Sequence, residues 1–304
     1  MATLEELGQR LETTEDLQSI VRTMKALAAV SIRQYEKAAD ALADYDRTVE
    51  LGLIALVATG GLESRPPRRP DGEGAAALVA VGSDHGLCGR FNEQAADRAA
   101  ERHAALSERT AGAVLILAVG GRVAARLEAM DLAPAEILML PGSAGGLAEA
   151  VTDVLLVLER WRQERGVVRV ELVHNERGDE APARPTVRGL LPIDPNDLAR
   201  DAGRDRPRRR IWPGRGQPML GTGPQRLLTH LLRQRLFVVL NRALAESAAA
   251  EQAARLSSMQ AAERNIADHL EELRGRYRST RQSSITAELM DVVGGAEALA
   301  QSGR

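Results

Sequence analysis

Apolar residues recur at helical spacing at both ends of the 304-residue chain, while its middle alternates between short apolar runs and helical stretches. Near the start, Leu17, Val21, Met24, Ala28, Ser31, Tyr35, Ala38, Leu42, Tyr45, Val49, Gly52 and Leu56 alternate steps of four and three. That is a heptad seam, and it predicts a helix over 2–58 wound against another helix. Thr3-Leu-Glu-Glu6 supplies a capping box at its start. Small or polar seam positions such as Ala28, Ser31, Ala38 and Gly52 argue against a homodimeric coiled coil, which favours Leu, Ile or Val there. At the other end, Thr222-Gly-Pro-Gln225 reads as a helix start, with proline in the first turn where no N–H is needed. Leu227, Leu231, Leu240 and Leu244, then Ile266, Leu270, Leu273 and Tyr277, then Ile285, Leu289 and Val292 continue the helical pattern.

A helix of that extent would be roughly 115 Å long at about 1.5 Å per residue, more than a globular core can bury. The two terminal helices are therefore expected to pair antiparallel. If residue 58 lies beside residue 224, residue 1 lies beside residue 281, and the tip beyond about 281 has no partner within the chain. Between them, Ala75–Val81, Ala113–Val119, Glu136–Leu140, Val167–Val173 and Thr186–Leu191 read as strands, separated by helical segments over 91–106, 122–130 and 145–165. The alternation predicts a Rossmann-like α/β domain over 75–193 with a mostly parallel sheet. All thirteen prolines lie between Pro66 and Pro224. They mark a linker over 59–74 and an irregular Arg/Pro/Gly-rich segment over 194–221. The fold class expected is α/β, an antiparallel coiled coil of the terminal helices plus that central domain.

The net charge of −2 carries no basic field for nucleic acid. Cys88 is the single cysteine, so no internal disulfide forms and a reducing compartment is expected. The acidic start Met1-Ala-Thr-Leu-Glu-Glu6 does not read as a secretory leader, and no apolar run approaches the ~20 residues that span a bilayer.

Candidate chemistry centres on Gly82-Ser-Asp-His-Gly-Leu-Cys-Gly89, directly after the first strand. A glycine loop between strand and helix can cradle phosphate. This one fits neither G-x-G-x-x-G nor a P-loop, so Gly82, Asp84, Gly86, Cys88 and Gly89 are read as a structural turn. Ser83, Asp84, His85 and Cys88 could form a nucleophile–base set or metal ligands, but no second cluster completes either. No cofactor, metal or catalytic residue is expected. His103, His230 and His269 read as helix-surface residues, and His174, at a strand end, as satisfied by a backbone group. Arg68-Arg69 and the run Arg204–Arg210 read as solvated loops. Arg281, Gln282, Ser283, Ser284, Thr286 and Glu288 are harder to leave as surface, because Ile285, Leu289 and Val292 beside them extend a live apolar stripe.

Ile20–Ala29, the loop Gly82–Gly89, Leu172-Val-His-Asn175, Glu251–Arg255 and Arg281–Leu299 resemble, in the same order, the gamma subunit of F-type ATP synthases. The resemblance covers nearly the whole chain and is most specific at the C-terminus. It implies a non-catalytic central-stalk rotor subunit that couples ion flow to ATP synthesis or hydrolysis. The implied partners are the alpha and beta subunits, the epsilon subunit and the membrane ring of c subunits. The implied location is peripheral, on the cytoplasmic side of the bacterial plasma membrane, with no direct membrane insertion and no nucleic acid. By motif, Met24 and Arg255 lie where the shaft meets a beta-subunit lever, and Arg281, Gln282, Thr286 and Glu288 match a cluster that contacts a beta-subunit catch loop. The family's Tyr-x-Tyr-Glu-Pro stretch is replaced by Arg208–Pro218, and the loop carries His85, which points to a divergent branch. The competing readings are a Rossmann-type small-molecule enzyme with helical arms and an unrelated coiled-coil scaffold.

Overall fold

The computed structural model describes residues 3–58, 74–178, 181–192, 219 and 221–302. The linker expected over 59–74 and the irregular segment over 194–221, with Arg68, Arg69, Arg204–Arg210 and Trp212, fall almost wholly outside these residues. The chain divides into two compact units, Met1–Leu27 with Leu256–Arg304, and Ala28–Arg255.

The helices at the two ends are α1 (Leu4–Ala41), α2 (Ala43–Ala58) and α6 (Pro224–Ser302). The capping box at the start of α1 forms in full. The Thr3 N–H donates to Glu6 Oε2 at 3.0 Å and the Glu6 N–H to Thr3 Oγ1 at 3.2 Å, so two otherwise orphaned donors are satisfied reciprocally. The helix expected as one piece over 2–58 is interrupted by a turn at Leu42, after which the Asp46 N–H bonds back to the Leu42 carbonyl at 2.8 Å and the ladder resumes. In the smaller unit, α1 and α6 run antiparallel. Arg22 and Lys25 reach Glu263, at 3.3 and 2.5 Å, and Glu15 accepts from Arg274 at 2.6 Å. Leu7, Met259, Leu270 and Leu273 are buried in the seam. Below Val21 the seam takes Gln18, half-buried, while Leu17 is 49% exposed. Burial there follows steps of three from Met24 to Val21 to Gln18, so the strict heptad breaks.

In the larger unit, five strands form one sheet: β1 (Ala75–Val81), β2 (Val114–Val119), β3 (Glu136–Leu138), β4 (Val167–Glu176) and β5 (Arg184–Leu191). Their order is β3-β2-β1-β4-β5, with β1 to β4 parallel and β5 antiparallel at the edge. β1 is buried along its whole length because both faces are covered. Ala76, Leu78 and Ala80 share a core with α3 (Phe91–Arg109) and α4 (Gly121–Glu128). Ala77, Val79 and Val81 face a core built by α5 (Leu147–Glu164) and by Leu240, Ala243, Leu244 and Ala249 of α6, with Tyr35 of α1. This period-two division of one strand between two cores is what fixes its register. Farther along, Val49, Leu53 and Leu56 of α2 pack on Leu228 of α6. Gly52 lies so close that a Cβ there would meet a Leu231 methyl at 3.2 Å, which accounts for the small residue on the seam.

Candidate functional site

Apart from Arg255, the shaft residues named from the sequence lie in the smaller unit and fall into two groups. Met24 is half-buried on α1, one residue from Lys25, which holds Glu263. The hydrogen bond from Lys25, seconded by Arg22, holds the Glu263 carboxyl below its usual range against an opposing desolvation. Exposed Leu17, Ile20 and Leu27 flank this stretch. At the other group, every residue from Arg281 to Met290 is exposed. Ile285, Leu289, Met290, Val292 and Val293 expose about half or more of their area, which leaves an apolar stripe on α6 open to solvent. The Thr286 hydroxyl donates to its own helix, at the Gln282 carbonyl, 2.9 Å away. Among the described residues, the side chains of Arg281, Gln282 and Glu288 make no hydrogen bond or ion pair. They stand ready on a helix that presents them within two turns of each other.

Arg255 belongs to the larger unit. It is only 8% exposed, and its guanidinium donates to Glu251 Oε1 at 2.6 Å and to the Gly86 carbonyl at 3.3 Å. It therefore ties α6 to the glycine loop. Burial, partly offset by Arg255, pushes the Glu251 carboxyl above its usual range. Cys88 packs under the same tie with Phe91, Ala183, Ala250 and Ala254. Burial also raises its thiol, with Glu251 adding to the effect and a hydrogen bond with Ser83 opposing it.

The glycine loop is closed by the chain's own side chains. The Ser83 N–H donates to Asn92 Oδ1 at 2.9 Å, Asn92 Nδ2 donates to Ser83 Oγ at 2.8 Å, and Ser83 Oγ donates to the His85 carbonyl at 2.8 Å. Asp84 accepts from the backbone N–H groups of Gly121 and Leu140, each at 2.7 Å. Its carboxylate thus caps the N-terminus of α4 and ties the glycine loop to the turns after β2 and β3. A Cβ on Gly82 would lie 2.3 Å from Val123 Cβ and 2.6 Å from Asn92 Oδ1, so glycine is required by close packing. Gly86 receives Arg255 on its carbonyl and Gly89 turns the chain at φ 58°. Ser83, His85 and Cys88 do not converge as a nucleophile and base: His85 is exposed, whereas Ser83 and Cys88 are buried.

Sequence reasoning missed Asn92, which closes the loop from α3, and Glu251, although its i,i+4 spacing to Arg255 is a legible helix pair. It also misread His174. That ring is fully buried, and its Nε2 faces the carboxylates of Glu176 and Glu246 at 3.3 and 3.5 Å, so no backbone group satisfies it. Strand pairing carries the neighbouring backbone groups into the β4–β5 ladder, away from the ring. Nearby, burial would raise Glu246, but the His174 ring, Arg242 and Arg188 together bring it down to about 2.

An antiparallel helix pair with an exposed, mixed polar and apolar tip, together with a doubly wound domain whose glycine loop is closed by its own side chains, defines a coiled-coil subunit of the docking class. A family model described as ATP synthase matches residues 3–299. The chain is 32% identical to the ATP synthase gamma chain of Cyanothece sp. and 32% identical to that of Granulibacter bethesdensis, covering 98% of this chain and 100% of each relative. Its fold is similar to that of a chain in the Euglena gracilis mitochondrial ATP synthase, OSCP/F1/c-ring, in rotational state 3. The TM-score is 0.64 at 16% identity, over 99% of this chain and 96% of that one. The chain belongs to the ATP synthase gamma chain family.

Proposed function

We propose that the chain is the central-stalk rotor subunit of an F-type ATP synthase, turning inside a ring of alpha and beta subunits. Membership of the gamma chain family carries this reading, and the exposed tip from Arg281 to Met290 gives it a physical basis. A helix with an open apolar stripe is stable in use only when other proteins cover it. The subunit has no catalytic role of its own. Its asymmetry makes the catalytic sites of the surrounding ring inequivalent in turn as it rotates.

Met24 is assigned to the contact with a beta-subunit lever, and Arg281, Gln282, Thr286 and Glu288 to the contact with a beta-subunit catch loop. Charge-assisted hydrogen bonds of this kind contribute about 1.5–3 kcal/mol each, enough to hold one rotary angle yet weak enough for ATP turnover to break. Arg255 is assigned a different part, bracing α6 against the glycine loop, because its buried guanidinium is already committed to Glu251 and Gly86. The α/β domain serves as the foot, with the epsilon subunit and the ring of c subunits as partners. The complex lies at the cytoplasmic face of a bacterial plasma membrane, and the subunit is peripheral to it. No described helix is long and apolar enough to cross a membrane. The test is purification of the affinity-tagged full chain from its own cells. Alpha, beta and epsilon subunits should accompany it. Recovery of the folded chain without nucleotide-binding subunits would reject the proposal in favour of an independent scaffold.

A further inference from the structure

The face of β4 and β5 that meets α6 carries a polar cluster with no part in the docking surfaces. His174 and Glu176 alternate on one face of β4, Thr186 stands directly opposite His174 in the antiparallel ladder, and Arg188 lies two residues farther along β5. Glu246 and Ser247 come from α6. His174 is fully buried, with Nδ1 lacking a partner and Nε2 facing two carboxylates, and the hydroxyls of Thr186 and Ser247 are buried without hydrogen-bond partners. Unsatisfied buried polar atoms are uncommon in folded proteins, and a group of them around one spot points to something held between them.

The spacing suits an ion better than a bare hydrogen-bond network. His174 Nε2 lies 3.3 Å from Glu176 Oε1 and 3.5 Å from Glu246 Oε2, and ligand atoms of the three side chains lie within 4.8 Å of one another. A tetrahedral ion with bonds of about 2.0–2.1 Å sets neighbouring ligand atoms about 3.3 Å apart. The same two carboxylate oxygens already attract a cation, since Arg188 Nη2 lies 2.7 Å from Glu176 Oε1 and 3.3 Å from Glu246 Oε2. Arg242 holds the other oxygen of Glu246, at 2.7 Å. Arg188 cannot use the lone pair of a neutral imidazole, because guanidinium only donates.

We propose that His174, Glu176 and Glu246 form a binding site for a tetrahedral divalent transition-metal ion of the zinc class, with Arg188 as a displaceable stand-in. The Arg188 side chain is 32% exposed, so it can turn to solvent and surrender both oxygens. One imidazole nitrogen and two carboxylates suit zinc, whereas magnesium and calcium favour all-oxygen shells. The fourth position takes a water, for which the unpaired Thr186 and Ser247 hydroxyls are hydrogen-bond partners. The bound ion would pin strand β4 to helix α6 within the larger unit.

The test uses the untagged full chain, stripped with chelator and titrated with cobalt(II) and then zinc. The wild type should take up one cobalt ion per chain with the intense visible absorption of tetrahedral coordination, and zinc should displace it. His174→Gln and Glu246→Gln should each weaken binding by about tenfold or more. Arg188→Gln should tighten it, because the competing cation is gone. A wild type without the tetrahedral spectrum, uptake unchanged in His174→Gln, or an Arg188→Gln variant that binds no tighter would each overturn the proposal. Should His174→Gln fail to fold, the wild-type spectrum and the Arg188→Gln comparison still decide.

Discussion

At the scale of single residues, a motif locates a side chain, but burial decides what the side chain does. Arg255 and Arg281 both stand in motifs that suggest docking, yet Arg255 is spent on Glu251 and Gly86 while Arg281 is exposed. Nothing in the local sequence separates them, because the glycine loop that claims Arg255 is far away along the chain. The His174 cluster was illegible for the same reason, since Glu246 joins it from a different element. Two outcomes follow from the loop environment. Cys88 is 2% exposed and its thiol is raised by burial, so iodoacetamide should label it far more slowly in the native chain than after unfolding in denaturant. Equal rates would contradict the packing described. Glu251 provides a pH signature. Its folded pKa is raised, so its contribution to stability is fully present below the unfolded value of about 4.3 and is lost as pH rises through the folded value. Chemical denaturation of wild type and Glu251→Gln should therefore show their stability difference moving in favour of wild type as pH falls from neutral toward the unfolded value.

At the scale of elements, periodicity and capping carried most of what can be read from the chain alone. The capping box at Thr3, proline at the start of α6 and the alternation of strands with helices all reappear in the structure. The exchange of Leu17 for Gln18 in the seam and the turn at Leu42 could not be read, because both depend on how the facing helix drifts against a strict heptad. The antiparallel direction of β5 was equally hidden, since a strand's own pattern does not tell which way its neighbour runs. The closeness of the glycine loop yields a prediction. Gly82→Ala should destabilise the larger unit by about 1–3 kcal/mol, as overpacking does, measured by the denaturation midpoint. The exposed end of α6 yields another. In the isolated chain, amides beyond about residue 281 should exchange rapidly while those of β1 exchange slowly. Protection in the tip equal to that in the sheet would show that the stripe has found a partner in the free subunit.

At the scale of the whole molecule, the claim is mechanical, and the tests belong to the assembled complex. Met24→Lys puts a charge on the surface assigned to the beta-subunit lever. Attraction at some rotary angles and not others should leave ATP hydrolysis active while lowering ion pumping per ATP, measured together in membrane vesicles. Arg281→Ala with Gln282→Ala should preserve α6, since alanine is the best helix former. It should lower ATP turnover of purified complexes, because two charge-assisted contacts that hold one rotary angle are lost. The most direct measurement is single-molecule rotation. The chain is assembled with its alpha and beta subunits, the ring is fixed to a surface, and a probe on the α/β domain is followed under ATP. The account predicts stepwise rotation in one direction that stops when ATP is withheld. A chain that assembles, supports ATP hydrolysis and shows no directed rotation would contradict it.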